Sequence, residues 1–218
     1  MSRSKLERFT ELETFANTFQ IQSHLKGRWH QDYFRNNNPI TLELGCGKGE
    51  YSLTLAKMFP ARNFIGVDIK GARLWNGAKK ALEDKLSNVA FLRMRIEDID
   101  REFASGEIST IWIPFPDPYP KHSKANKRMT CPRFLHLYSR ILHDGGKIHL
   151  KTDDDNLYRY TLDTLRRNNH PILDNYTDLH HVSVPEPEWL VQTTFEKKQA
   201  LAGHSIKYIS FKLNHQQD

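Results

Sequence analysis

Two groups of residues in this 218-residue chain have the types and spacing that chemistry needs. The first is Pro114-Phe115-Pro116-Asp117-Pro118-Tyr119-Pro120-Lys121, behind the apolar run Thr110-Ile111-Trp112-Ile113. Every second residue from Pro114 to Pro120 is proline. Proline fixes φ and biases the residue before it towards extended conformations, so the loop is stiff and Asp117 has little freedom between its two prolines. A rigid loop loses less entropy on ordering around a substrate than a glycine loop would. A carboxylate held in this way at the end of a strand reads as a site, because loops on rigid scaffolds carry function disproportionately. An ordinary proline-rich surface turn is the alternative.

The second group is Glu43-Leu44-Gly45-Cys46-Gly47-Lys48-Gly49, followed by Asp68 at the end of the next apolar run. Glycines at alternate positions allow a tight turn and close approach of a ligand to the backbone. The loop opens a helix, whose N-terminus favours electronegative groups. The spacing departs from the dinucleotide pattern Gly-x-Gly-x-x-Gly. Glu43 would also repel a pyrophosphate, whereas a ligand carrying an ammonium or a sulfonium would not be repelled. S-adenosylmethionine carries both, and Asp68 is placed to accept from its ribose hydroxyls, as the acid does in nucleotide-binding folds. A purely structural turn is the competing reading. Cys46 reads as a small residue filling the loop, not as a nucleophile.

The elements that must position these groups alternate strand and helix. Strands are expected at 40–44, 63–67, 89–94, 108–113, 147–150 and 206–213. Helices are expected after the glycine loop as far as Pro60, around Leu74 to Leu82, around Phe134 to Ile141 with a stop at Asp144-Gly145-Gly146, and over 153–167. Such alternation predicts an α/β fold with a mostly parallel sheet covered on both faces. Leu6, Phe9, Leu12, Phe15 and Phe19 follow helical spacing, and Trp29 to Phe34 reads as a second short helix. Together they predict a helical extension over about 1–38 on a single domain spanning 1–218. No repeat or linker interrupts the chain.

Composition narrows the class. No apolar run approaches the roughly 20 residues needed to span a bilayer, and the first residues lack the apolar core of a signal peptide. With only Cys46 and Cys131, no disulfide framework is expected, and the chain reads as a cytoplasmic protein. A net charge of +6 is compatible with a nucleic-acid partner and also with a merely basic enzyme.

Taken together, Glu43-Leu44-Gly45-Cys46-Gly47-Lys48-Gly49, Phe115-Pro116-Asp117-Pro118-Tyr119-Pro120-Lys121, Thr152-Asp153 and Thr193-Thr194-Phe195-Glu196 resemble, in order, the motifs of bacterial tRNA (guanine-N7)-methyltransferases. The first block is shared by many methyltransferases; the proline block is specific. The resemblance covers about Ile40 to Leu213. It implies a Rossmann-like class I methyltransferase sheet of seven strands with an antiparallel last strand. S-adenosylmethionine would be the donor, and the acceptor would be N7 of a guanine in the tRNA variable loop. It further implies that Glu43, Gly45, Gly47, Asp68 and Asp117 line the cofactor and reaction site, with Asp117 catalytic. Lys121, Asp153, Thr193, Thr194, Phe195 and Glu196 would contact substrate. Tyr119 stands where the family usually has Trp. Arg95-Ile96-Glu97 stands where it often has an Asp near the adenosine, which leaves that contact to Ile96, Glu97 or the backbone there.

The remaining candidates have bland and sharp readings side by side. Lys121, Lys124, Lys127, Arg128 and Arg133 form a basic run suited to phosphates or to solvent. Asp153-Asp154-Asp155 reads as a helix cap in preference to a metal site, and His180-His181 as packing or surface, so no metal is expected. Thr193 with Glu196 also has the spacing of a capping box. A monomer or homodimer is expected. A methyltransferase for another RNA or a small molecule, or a non-catalytic RNA-binding module, are the rival functions.

Overall fold

The computed structural model describes residues 4–20, 24–184 and 186–214. Helix α1 (Lys5–Leu12) is followed by strand β1 (Thr18–Gln20) and a π-helical turn, Trp29–Phe34. Then come β2 (Ile40–Leu44), α2 (Glu50–Met58), β3 (Asn63–Asp68), α3 (Gly71–Glu83), β4 (Val89–Arg93) and β5 (Ile108–Pro114). The chain continues through α4 (Pro132–Ser139), β6 (Leu142–Thr152), α5 (Asp155–Arg167), β7 (Ile172–Tyr176), α6 (Thr194–Leu201) and β8 (Lys207–Phe211).

One sheet holds all the strands in the order β1-β4-β3-β2-β5-β6-β8-β7. β8 alone runs against its neighbours, pairing antiparallel with both β6 and β7. β2, β3 and β8 are buried along their whole length. Alternate residues feed two cores. Ile111 and Ile113 point to one face with Tyr138, Leu162 and Trp29. Trp112 points to the other with Tyr51, Leu74, Trp189 and Tyr208. α5 buries Leu157, Thr161, Leu162 and Leu165, and Asp154 caps it by accepting from the Leu157 N–H at 2.6 Å.

The sheet has eight strands, one more than the seven expected. The additional strand is β1, which pairs parallel with β4 through Thr18, Phe19 and Gln20. Helical spacing through Phe19 concealed it. α1 ends at Leu12, the Thr18 hydroxyl bonds to the Leu12 and Phe15 carbonyls, and the Phe19 ring leaves the helical stripe for Trp29 and Tyr33, each 5.1 Å away. The segment over about 1–38 is therefore not wholly helical, and its residues 1–3 and 21–23 lie outside the described residues. Asp144-Gly145-Gly146 does not end a helix. It lies within β6, where the pairing with β5 slips between Leu142 and Lys147.

The chain works outward from β2 to β4 on one side and from β5 to β7 on the other. The reversal between β2 and β5 leaves a crevice at the carboxyl ends of those strands, the usual ligand position in open α/β sheets. Glu43 on β2 is level with Trp112 on β5. The glycine loop and the proline loop therefore leave the sheet side by side.

Candidate active site

The glycine loop is held from beneath. Gly45, Gly47 and Gly49 have φ of +73°, +58° and +69°, the left-handed region where a side chain adds strain. The Gly45 and Cys46 N–H groups both donate to the Val67 carbonyl, at 2.8 and 3.0 Å. Asp68 accepts from the Gly47 N–H at 2.9 Å with one oxygen and from the Lys70 N–H at 2.8 Å with the other. A carboxylate oxygen has more than one lone-pair site, so capacity for ribose hydroxyls remains. A Cβ on Gly47 would enter open space, whereas one on Gly49 would strike the Phe91 ring. Gly47 thus faces the crevice, and Gly49 serves the packing of α2.

Glu43 is buried, only 4 % exposed, and accepts from the Ser52 N–H and hydroxyl. Burial, with smaller contributions from the neighbouring charges of Asp68 and Glu50, raises its pKa to about 7 against those hydrogen bonds. No cationic side chain pairs with it among the described residues. A buried carboxylate with acidic neighbours is stabilised by a cationic ligand, so the donor set fits an ammonium or sulfonium better than a phosphate. Burial also pushes the Cys46 thiol well up, which makes it a poor nucleophile and matches its packing role.

The proline loop leaves β5 with the Phe115 N–H donating to the Lys151 carbonyl at 2.8 Å. Phe115 and Tyr119, each followed by proline, were expected to be extended. They instead have φ of +52° and +43°. Such a conformation costs on the order of 1–3 kcal/mol per residue and persists only where surroundings enforce it. Arg128 enforces it. Its Nε donates to the Pro118 and Tyr119 carbonyls at 3.1 and 3.2 Å, its Nη2 donates to Tyr119 at 3.0 Å, and its guanidinium lies 4.3 Å from the Tyr160 ring centroid. Arg128 is 8 % exposed. It is thus a loop clamp and not a member of the phosphate-facing run. Lys121, Lys124 and Lys127 are exposed, and Arg133 is exposed with Glu97 at 3.9 Å. Asp117 stands exposed at the loop tip, with no hydrogen bond to a described residue.

The other expected residues reach the same edge of the sheet from different strands. Ile96 and Glu97 follow β4 in a 3-10 turn; Ile96 packs against the core and Glu97 is exposed. Asp153 follows β6 and is half-buried, and its carbonyl accepts from Lys207 Nζ at 3.0 Å. Asp154 caps α5 and Asp155 is paired to Lys207 at 3.2 Å, so these two carboxylates have partners within the chain. Among the described residues no group of three or more His, Cys, Asp or Glu is arranged to hold one.

Thr193 caps α6, accepting from the Glu196 N–H at 3.1 Å; the Thr194 N–H donates to Glu50 at 2.6 Å. Phe195 is half-exposed, and its ring meets Phe115 edge-on at 5.1 Å. Glu196 differs from expectation. Its carboxylate is fully buried, bonded to Lys151 Nζ at 2.9 and 3.0 Å and 3.1 Å from His180 Nε2, so it has no open face for substrate and no reach back to complete a capping box. Sequence reasoning passed over Lys151, although a lysine inside Ile148-His149-Leu150-Lys151 must find a buried partner.

Comparison with known proteins agrees with this geometry. A family model described as "Putative methyltransferase" matches residues 37–209. The tRNA (guanine-N(7)-)-methyltransferase of Porphyromonas gingivalis is 50 % identical, the match covering 93 % of this chain and 86 % of that one. The protein of the same name from Christiangramia forsetii is 45 % identical over 97 % of this chain and 99 % of its own. Among solved structures, an antibiotic-related methyltransferase superposes with a TM-score of 0.65 at 20 % identity, covering 84 % of this chain and 92 % of the other. The 16S rRNA methyltransferase KamB does so with a TM-score of 0.65 at 14 % identity, covering 88 % and 95 %. These two likenesses concern the fold.

Proposed function

This chain belongs to the tRNA (guanine-N(7)-)-methyltransferase family, and on that premise we propose that it methylates N7 of a guanine in the tRNA variable loop. The observation that carries the reading is the pairing, across the β2/β5 crevice, of a cation-seeking carboxylate pocket with a rigid, unpartnered Asp117. Held by Glu43, the glycine loop and Asp68, S-adenosylmethionine would supply an electrophilic methyl group on sulfur, for in-line transfer to N7 with breakage of the methyl C–S bond. N7 has a free lone pair and no proton to lose, so no general base is required at the attacking atom.

The residues of the chain then divide the work. Glu43 offsets positive charge on the donor, and Asp68 accepts from its ribose while fixing Gly47. Ile96 and Glu97 sit where the adenosine end would lie. Asp117 accepts from the guanine N1–H or exocyclic amine and favours the positive charge that appears on the base, acting by orientation and preorganised charge. Lys121, Asp153, Thr193, Thr194 and Phe195 border the acceptor side, and Lys124 and Lys127 are available to phosphates. Glu196 supports this border from within. The proposed place of work is the cytoplasm; none of the described helices is long and apolar enough to cross a membrane.

Incubation with labelled S-adenosylmethionine and bulk tRNA, followed by chemical cleavage at N7-methylguanine, tests the reading. Label at a variable-loop guanine N7 is expected. Label on another base or another RNA would replace the substrate, donor binding without transfer to tRNA would point to a small-molecule acceptor, and absence of donor binding would leave only a non-catalytic RNA-binding module.

A further inference from the structure

Lys151 is on β6, in the middle of the sheet, and is fully buried. Its Nζ donates to both oxygens of Glu196 and to the Val191 carbonyl at 2.9 Å. Val191 precedes the segment that enters α6, and Glu196 lies in its first turn. A single ammonium thus holds both ends of Val191–Glu196. Its own backbone carbonyl meanwhile accepts from Phe115, the first residue of the Asp117 loop. The two segments touch again where Phe195 meets Phe115.

We propose that Lys151 is a positioning residue for methyl transfer, seating Thr193–Phe195 against the Asp117 loop through its buried bonds to Glu196 and Val191. The inference rests on the reading of the site as a tRNA methyltransferase. A buried ion pair is weak support for stability, since well-packed apolar residues often replace one at no loss. What an apolar pair cannot supply is direction. Lys151 donates to three oxygens at once and fixes where the first turn of α6 lies. A misplacement of about 1 Å near a reacting centre can slow transfer roughly a hundredfold. The donor side, at Glu43 and Asp68, shares no bond with Lys151 and stays unaffected.

The test compares wild type, Lys151→Met and the apolar double variant Lys151→Met/Glu196→Leu. Folded sites are counted by the stoichiometry of S-adenosylmethionine binding, and thermal midpoints are measured alongside. Single-turnover methylation of tRNA is followed with both substrates saturating, together with hydrogen exchange at the Glu196 and Lys197 amides. The single variant leaves the buried Glu196 carboxylate with His180 as its one remaining side-chain partner and lowers the midpoint; the double variant restores it. Both are expected to lose about tenfold to a hundredfold in rate per folded site, with donor affinity within about twofold of wild type and faster exchange at the start of α6. Recovery of rate together with stability in the double variant would make the pair merely structural and overturn the proposal, as would unchanged exchange. A wild-type protein that transfers no methyl to tRNA would refute the functional reading instead, and the exchange comparison would still decide whether Lys151 seats α6.

Discussion

Glu43 should make donor binding depend on pH in a way that ordinary carboxylates do not. Its pKa of about 7 in the folded protein has burial as its main cause, with Asp68 and Glu50 adding to it. A cationic donor favours the ionised form. If only that form binds, the apparent dissociation constant scales as 1 + 10^(pKa − pH), so affinity should be about a hundredfold weaker at pH 5 than at pH 8, with most of the change between pH 5 and 7. The α-amino group of the donor, with a pKa of about 8, stays protonated through that window. Loss of one charge-assisted contact, on the order of 1.5–3 kcal/mol, caps the effect at a similar size. The assay is calorimetric titration with S-adenosylmethionine from pH 5 to 8 for wild type and Glu43→Gln. The variant should bind weakly with a flat profile. Stability should move the other way. Because the folded pKa lies above the unfolded value, the ionised carboxylate opposes folding increasingly from pH 4.5 to 7 and fully above that. Glu43→Gln should then raise the stability of the ligand-free protein at pH 8 by up to roughly 3 kcal/mol. A flat wild-type profile, or the same slope in Glu43→Gln, would refute this assignment.

Further outcomes follow from the other loops. Replacing Lys124 and Lys127 with alanine should weaken tRNA binding and flatten the slope of log affinity against log salt by about 1.5, the share of two phosphate contacts; an unchanged slope would place both side chains in solvent. Arg128→Lys keeps the charge but loses the planar fork that spans the Pro118 and Tyr119 carbonyls and the guanidinium face on Tyr160, so turnover should fall at least about tenfold while donor affinity holds. Turnover close to wild type in that variant would return Arg128 to the phosphate-facing run, where a lysine serves as well.

Much of this arrangement is legible in the residues. Phe64-Ile65-Gly66-Val67 announces a doubly covered strand by its continuous apolar run, and Ile40, Leu42 and Leu44 give the neighbouring strand one apolar face. Residues at the carboxyl ends of such strands have to lie along one edge of the sheet, and that alone brings Asp68 and Asp117 to the same side. β1 and β7 were not legible. β1 is three residues long and shares its phenylalanine with a helical stripe. β7 is half-buried at an edge, so its Leu173, Asp174 and Asn175 carry no clear period. Arg128 reads as one more charge in Lys124-Ala125-Asn126-Lys127-Arg128, because its partners are backbone carbonyls that no sequence pattern marks. Glu196 carried a signal that pointed two ways. Its spacing from Thr193 suggested a capping box, while Lys151, distant in sequence, was the partner that burial demanded.

Asp117 is proposed to orient guanine for attack by N7 without serving as a base. Asp117→Asn keeps the shape and one acceptor but loses the charge and presents an amide donor; Asp117→Ala removes the group. The direct measurement is single-turnover methylation of a tRNA transcript at saturating S-adenosylmethionine, with the modified position mapped. Methyl at N7 of a variable-loop guanine is expected in wild type, with a fall on the order of a hundredfold or more in both variants and donor affinity largely intact. Rates close to wild type in both variants would contradict this role and remove Asp117 from the mechanism.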